Sequence, residues 1–184
     1  MGLAIGLPLT QPWKKSPNIE ALCQVNVTEN NWRYIVIHHS ATHEGSAKGF
    51  DSYHRYRRGW KNGLGYHFVI GNGTQSGDGE IEVGKRWRRQ LHGAHAGDTY
   101  FNRLGIGICL VGNFEVDKGP TKRQFESLVR IIRYLSKRYD IPPSKIILHK
   151  EVLENHTACP GKNFPYDKLK HRLRDLAPKD AVSA

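Results

Sequence analysis

The chain has 184 residues, 28 Lys and Arg against 17 Asp and Glu, and a formal net charge of +11. That length suits one domain with a real core, and no apolar run is long enough to span a bilayer, so a soluble globular class is expected. The positive excess implies attraction to polyanions (nucleic acid, acidic lipid or an anionic cell-wall polymer) without choosing among them. Cys23, Cys109 and Cys159 are odd in number and far apart, which excludes a disulfide framework.

Met1 to Gln11 is mildly apolar but contains Pro8, and its basic pair, Lys14-Lys15, follows rather than precedes it. This is the wrong order for a signal peptide. Residues 1–30 read as an extended arm with a short helical turn near Ile19–Cys23. Trp32 to His38 alternates and is β-branched, a first strand. A helix is expected from Gly49 to Arg58, ended by Gly59-Trp60 and Asn62-Gly63. Tyr66 to Ile70 is a second strand, with Gly71-Asn72-Gly73 and Gly77-Asp78-Gly79 as turns and Glu80 to Val83 as a short third.

Lys85 to Arg89 is a basic cluster around Trp87, and Leu91 to Gly97 reads as a histidine-bearing loop. Leu104 to Val111 is nearly continuous in apolar residues and fits a strand buried on both faces, with Cys109 as core. Thr121 to Tyr139 is the clearest helix. Thr121-x-x-Gln124 is a capping box, and Phe125, Leu128, Val129, Ile132, Leu135 and Tyr139 form one apolar stripe. Its charged side, with Lys122, Arg123, Glu126, Arg130, Arg133 and Lys137, reads most simply as a solvated face. Pro142-Pro143 stops it. Ile146 to Leu148 is a strand, and Tyr166 to Leu176 an amphipathic helix before a polar tail. This mixture predicts an α/β fold: a single layered domain with a mixed central sheet flanked by helices.

Two apolar runs end in histidine: Ile35-Val36-Ile37-His38-His39 and Ile146-Ile147-Leu148-His149. Cys159 stands before a Pro-Gly turn. Imidazole and thiolate are the ligands zinc prefers, and three protein ligands leave a fourth tetrahedral position open, the pattern of a catalytic site. Buried histidines and cysteines also fill cores. Spacing alone separates neither these readings nor His38 from His39.

A series of segments now falls into order. It runs Val36-Ile37-His38-His39-Ser40-Ala41-Thr42, Gly65-Tyr66-His67-Phe68-Val69-Ile70-Gly71, Gly93-Ala94-His95-Ala96, then Gly105-Ile106-Gly107 with Val111-Gly112-Asn113-Phe114. His149-Lys150-Glu151-Val152 and Thr157-Ala158-Cys159-Pro160-Gly161 complete it. From about Trp32 to Leu176 the chain resembles the type 2 N-acetylmuramoyl-L-alanine amidases, whose fold is shared by phage amidase-lysozymes and animal peptidoglycan recognition proteins. The resemblance implies a zinc-dependent hydrolase that cuts the amide between the muramic acid lactyl group and L-alanine of peptidoglycan. It implies His38, His149 and Cys159 as Zn²⁺ ligands and Tyr66 and Thr157 as catalytic groups. His39, Gly59, Trp60, Lys85, His95 and Asn102 are implied substrate contacts, with a position behind the ligands as the alternative for His95.

The implied organisation is an arm over 1–30, an amidase domain over 31–178 and a tail over 179–184. The implied partner is peptidoglycan or its muropeptides, at the cell envelope or outside the cell, with cytoplasmic storage or a trimmed or phage-type chain as the alternative; a monomer and no integral membrane segment are expected. Gly59-Trp60 resembles the pair that accompanies diaminopimelate preference, and the Lys85 to Arg89 segment suits stem-peptide carboxylates. The loop from His149 to Cys159 is about two residues longer than the family's usual spacing. It carries His156, expected to face solvent. A recognition module that binds peptidoglycan without cutting it is the alternative. A nucleic-acid binder, suggested by charge and the Arg-Trp cluster, is the other rival, but no nucleic-acid motif is present.

Overall fold

In the computed structural model, residues 18–154 and 156–176 are described; the expected arm before residue 18 and the tail after residue 176 lie outside them. The frame is a five-stranded sheet in the order β3-β2-β4-β1-β5. Its strands are β1 (Tyr34–His39), β2 (Phe68–Ile70), β3 (Ile81–Val83), β4 (Gly105–Leu110) and β5 (Ile146–Leu148). All neighbours are parallel except β3, which runs antiparallel to β2. The sheet is therefore mixed, as expected.

Parallel strands need crossover elements on the faces of the sheet. The sequence's longest amphipathic segment supplies one: α5 (Lys122–Tyr139) starts at Thr121 with both halves of the capping box made. Its stripe packs on Ile35, Ile37, Phe68, Ile70, Ile106, Ile108 and Leu110, all at most 2 % exposed. The expected stripe is buried from Phe125 to Leu135, Tyr139 is half-buried, and Gln124 is buried with it. Its amide donates to the carbonyls of Ile70 and Val111, pinning the helix start to two strand ends.

Side chains alternate along a strand, so the residues between these face the other way. His38 lies beside Cys109, and Cys109 beside Val69. On this second face α2 (Ala47–Tyr56) packs Ala47 and Phe50 against Leu64, Val69, Cys109 and Val111. One face of the sheet thus belongs to α5, and the other to α2 and His38.

The remaining short helices are α1 (Ile19–Leu22), α3 (Lys85–Arg88), α4 (Thr99–Leu104) and α6 (Tyr166–Arg172). Four expectations change. The helix placed at Gly49 begins at Ala47, because Ser46 caps it by accepting from the Gly49 N–H. The strand placed at Tyr66 begins at Phe68, so Tyr66 stands in the entering loop. Helix α4 was not anticipated; Asp98 caps it by accepting from the Phe101 N–H. The last helix gives way after Arg172 to a 3₁₀ turn at Arg174–Leu176.

Two segments whose placement the sequence leaves open are built inward. Cys23 is fully buried, Ile19, Leu22 and Val25 pack on the core, and Arg138 of α5 pairs with Glu29. The described part of the arm therefore lies against the domain. Within the Lys85 to Arg89 cluster, Trp87 is fully buried and donates to the Cys23 carbonyl. Arg86 is buried too, donating to the carbonyls of Leu64 and His92. A stacking platform for bases needs exposed rings; this tryptophan is core.

Candidate metal centre

In parallel sheets, ligand crevices form beyond the carboxyl ends of the strands. His38 and His39 end β1, and His149 follows β5, the next strand over. One strand spacing thus brings together residues 111 positions apart. The sheet alone does not position Cys159. The Lys150 N–H donates to the Cys159 carbonyl at 2.9 Å, closing the intervening loop on itself. Thr157 Oγ1 accepts from the Cys159 N–H, and the His39 N–H donates to Cys159 Sγ at 3.3 Å. Gly161 follows at φ +96°, where a Cβ would meet Phe114 carbonyl carbon at 2.3 Å. The Pro-Gly turn therefore permits the close approach that seats the cysteine.

One nitrogen each from His38 and His149 and the sulfur of Cys159 lie within 4.8 Å of one another. His38 Nδ1 is 3.9 Å from Cys159 Sγ. Zinc bond lengths and a tetrahedral angle call for roughly 3.6 Å between a nitrogen and a sulfur ligand, so small side-chain adjustments close the set. Nε2 of His149 is buried without a hydrogen-bond partner. An orphaned lone pair of this kind carries a desolvation cost unless something accepts it. The residues fit a zinc ion: two imidazoles, one of them with an orphaned nitrogen, and one cysteine sulfur converge.

The electrostatics agree. Burial, then the neighbouring His95 and His149, hold His38 well below the ordinary histidine range. Burial also lowers His149, opposed by its hydrogen bond to the Ala96 backbone. Both rings are neutral near pH 7, the state that can ligate. Burial pushes the Cys159 thiol up to about 12, partly offset by the His39 N–H. A cation in the site inverts that preference, because a coordinating thiol loses its proton.

The other expected site residues are distributed as follows. Tyr66 is half-buried beside His38, with ring centroids 5.2 Å apart, and burial raises its hydroxyl well above the ordinary range, so it is a donor. Thr157 spends an acceptor on the turn. His39 is buried, and its Nδ1 accepts from the Phe114 N–H, so it frames the site rather than lining open space. His95 is buried behind His38, and Asn102 holds it by accepting from the N–H groups of His95 and Ala96. Trp60 stacks on His54 at 4.6 Å, and His54 lies 6.0 Å from Tyr66. Gly59 and Lys85 are exposed.

Sequence reasoning missed His54. His54 Nδ1 accepts from the Gly65 N–H, ahead of Tyr66. Its sequence signal was only a histidine six residues before Trp60. Glu151 accepts from the Leu148 N–H and so fixes the 3₁₀ turn that carries His149. His156 is exposed, as expected, with its ring 6.2 Å from that of His149.

Residues 28–162 match the family described as N-acetylmuramoyl-L-alanine amidase. The chain belongs to this family. Peptidoglycan-recognition protein LB of Drosophila melanogaster is 32 % identical over 138 residues, covering 70 % of this chain and 54 % of that protein. The endolysin of Escherichia phage T7 is 32 % identical over 134 residues, covering 69 % of this chain and 79 % of the endolysin. The chain spans about half the length of the first recognition proteins it matches. Among solved structures, N-acetylmuramoyl-L-alanine amidase LysC from Clostridium intestinale URNW matches with a TM-score of 0.67 and 32 % identity, over 82 % of this chain and 97 % of that one. A Drosophila recognition protein LB variant in complex with tracheal cytotoxin matches at 27 % identity with a TM-score of 0.60, over 77 % of this chain and 83 % of that one. The fold of this chain is that of the amidases and recognition proteins. As in the sequence, no described helix is long and apolar enough to cross a membrane.

Proposed function

We propose that this amidase-family chain is a zinc-dependent N-acetylmuramoyl-L-alanine amidase acting on peptidoglycan or its muropeptides at the cell envelope. The observation that carries the reading is the convergence of His38, His149 and Cys159 on one point at the carboxyl end of the sheet. The recognition protein solved with tracheal cytotoxin supports the ligand class. A zinc ion bound there supplies Lewis acidity and a nucleophile at neutral pH.

This chain's residues do the rest. His95 holds His38 so that Nδ1 faces the site. Its Nε2 approaches the Gly105 carbonyl at 3.2 Å and must donate, leaving its Nδ1 to accept from His38 Nε2 at 3.0 Å. The Tyr66 hydroxyl stays protonated and can donate to negative charge developing on the amide oxygen. Thr157, half-exposed beside Cys159, offers its remaining acceptor and its proton to substrate or water. Trp60, stacked on His54, forms an apolar wall leading to Tyr66, suited to the stem peptide. The amidase domain is assigned to residues 31–178.

The test is muropeptide analysis with zinc content for the wild type and Cys159→Ser. The wild type is expected to hold about one zinc and to free stem peptides, and the variant to do neither. Full zinc loading with peptidoglycan binding but no amide cleavage would replace this reading with a recognition module.

A further inference from the structure

The charged side of α5 is not uniformly solvated. Lys122, Arg123, Glu126, Arg130 and Arg133 of α5, with Arg172 of α6, line an open cleft of about 640 Å³. Five cations face one carboxylate there. The cleft lies on the outside of α5, across the sheet from His38 and the metal-site face.

Some of this charge has an internal use. Arg172 grips Glu126 through two 2.8 Å hydrogen bonds, and Arg133 grips Asp175 in the same way, which clamps α6 and the turn after it to α5. Arg130 differs. Its Nε is buried and has no hydrogen-bond partner. A guanidinium edge desolvated in this way is costly unless an anionic oxygen meets it.

We propose that this cleft binds a flexible phosphodiester polymer, an anionic glycopolymer of the envelope, and holds the protein by its back while the metal-site face stays open. Three observations select that chemistry. Lys122 and Arg130 are eight residues apart, about 12 Å along the helix, so a repeating anion spans them and a single small one does not. Guanidinium dominates the lining, and its planar fork matches phosphate oxygens. None of the described residues lining the cleft is aromatic, so bases have nothing to stack on.

The experiment measures binding of fluorescent poly(glycerol phosphate) at 150 mM salt to the full chain carrying Cys159→Ser, so that cleavage plays no part. Lys122→Gln/Arg130→Gln is compared with a charge-matched control on the opposite side, Lys48→Gln/Lys61→Gln. Lys122 and Arg130 are chosen because the clamping pairs do not use them. The cleft variant is expected to lose about 10-fold or more in affinity. Its salt slope should fall by about 1.4, at roughly 0.7 per lost contact to a flexible polyanion. The control should stay within twofold of the parent, and thermal unfolding of both variants should match it. Equal losses in the two variants would reduce the effect to net charge and overturn the site. Tighter binding of poly-L-glutamate, of single-stranded DNA or of phosphatidylglycerol vesicles, with the same sensitivity to Lys122 and Arg130, would overturn the phosphodiester assignment. Loss of amidase activity in the Cys159→Ser background bears on the proposed function and leaves this result untouched.

Discussion

His38 Nε2 lies 3.0 Å from His95 Nδ1, and His95 Nε2 lies 3.2 Å from the Gly105 carbonyl. The backbone acceptor sets the tautomer of His95, and His95 in turn sets that of His38. Partners behind a metal-bound histidine commonly tune affinity by 10- to 100-fold. His95→Ala should therefore weaken zinc binding by about that factor while leaving the three ligands in place. Competition with a chromophoric chelator measures it. Unchanged affinity would reduce His95 to packing.

Gly107 is the floor beneath that ring. A Cβ there would sit 2.5 Å from His95 Cδ2. Gly107→Ala should displace His95 and destabilise the fold by about 1–3 kcal/mol through overpacking. Zinc affinity should fall together with stability. Chelator competition and urea unfolding on one preparation test the coupling, which fails if stability drops with affinity intact.

Metal removal should be visible in stability. If the free ion exceeds its dissociation constant 100-fold, binding adds about 2.7 kcal/mol to the folded state. Chelation should lower the melting temperature of the wild type and leave that of Cys159→Ser unmoved. An equal shift in both would mean that the ion binds elsewhere.

His67 should shape the acid limb of stability. Burial holds its pKa down to about 3, while Nδ1 accepts from the Gly107 N–H and Nε2 donates to the Leu91 carbonyl. The unfolded ring protonates near 6.5, so between about pH 6.5 and 3 the unfolded state binds the extra proton. This contribution is complete above pH 6.5 and is lost as pH falls, at up to about 1.4 kcal/mol per pH unit. His67→Gln, which keeps an acceptor and a donor, should flatten that slope in urea titrations. An unchanged slope would assign the acid limb to other groups.

Thr121→Ala should cost about 1 kcal/mol. It removes the capping box of α5 and the hydrogen bond from Thr121 Oγ1 to Asp78. Denaturant unfolding checks it, and a loss below a few tenths would show the cap to be redundant.

Where periodicity and chemistry are local, the chain could be read directly. The capping box at Thr121, the stripe from Phe125 to Tyr139 and the β-branched alternation of Ile35 to Ile37 are each written within a few residues, and each folds as read. Helix α4 escaped because its six residues carry no stripe and only the cap at Asp98 announces it. The burial of Trp87 and Arg86 is not legible in the sequence, because composition counts charge without direction. Burial of Arg86 depends on the carbonyls of Leu64 and His92, which only the folded chain brings to it.

The amino-acid order by itself determined the α/β class, the family and three candidate ligands, since strand-end histidines and a cysteine before Pro-Gly are local patterns. Tertiary structure alone decided that those ligands meet. Parallel pairing of β1 with β5 sets the two histidines one strand apart, and the Lys150–Cys159 hydrogen bond folds the sulfur back to them. It also supplies the physical reason that His38, the histidine implied by the resemblance, is the one of the pair that faces the site. Strand alternation assigns adjacent residues to opposite faces but does not label them until α5 packs on Ile35 and Ile37, leaving the other face to His38.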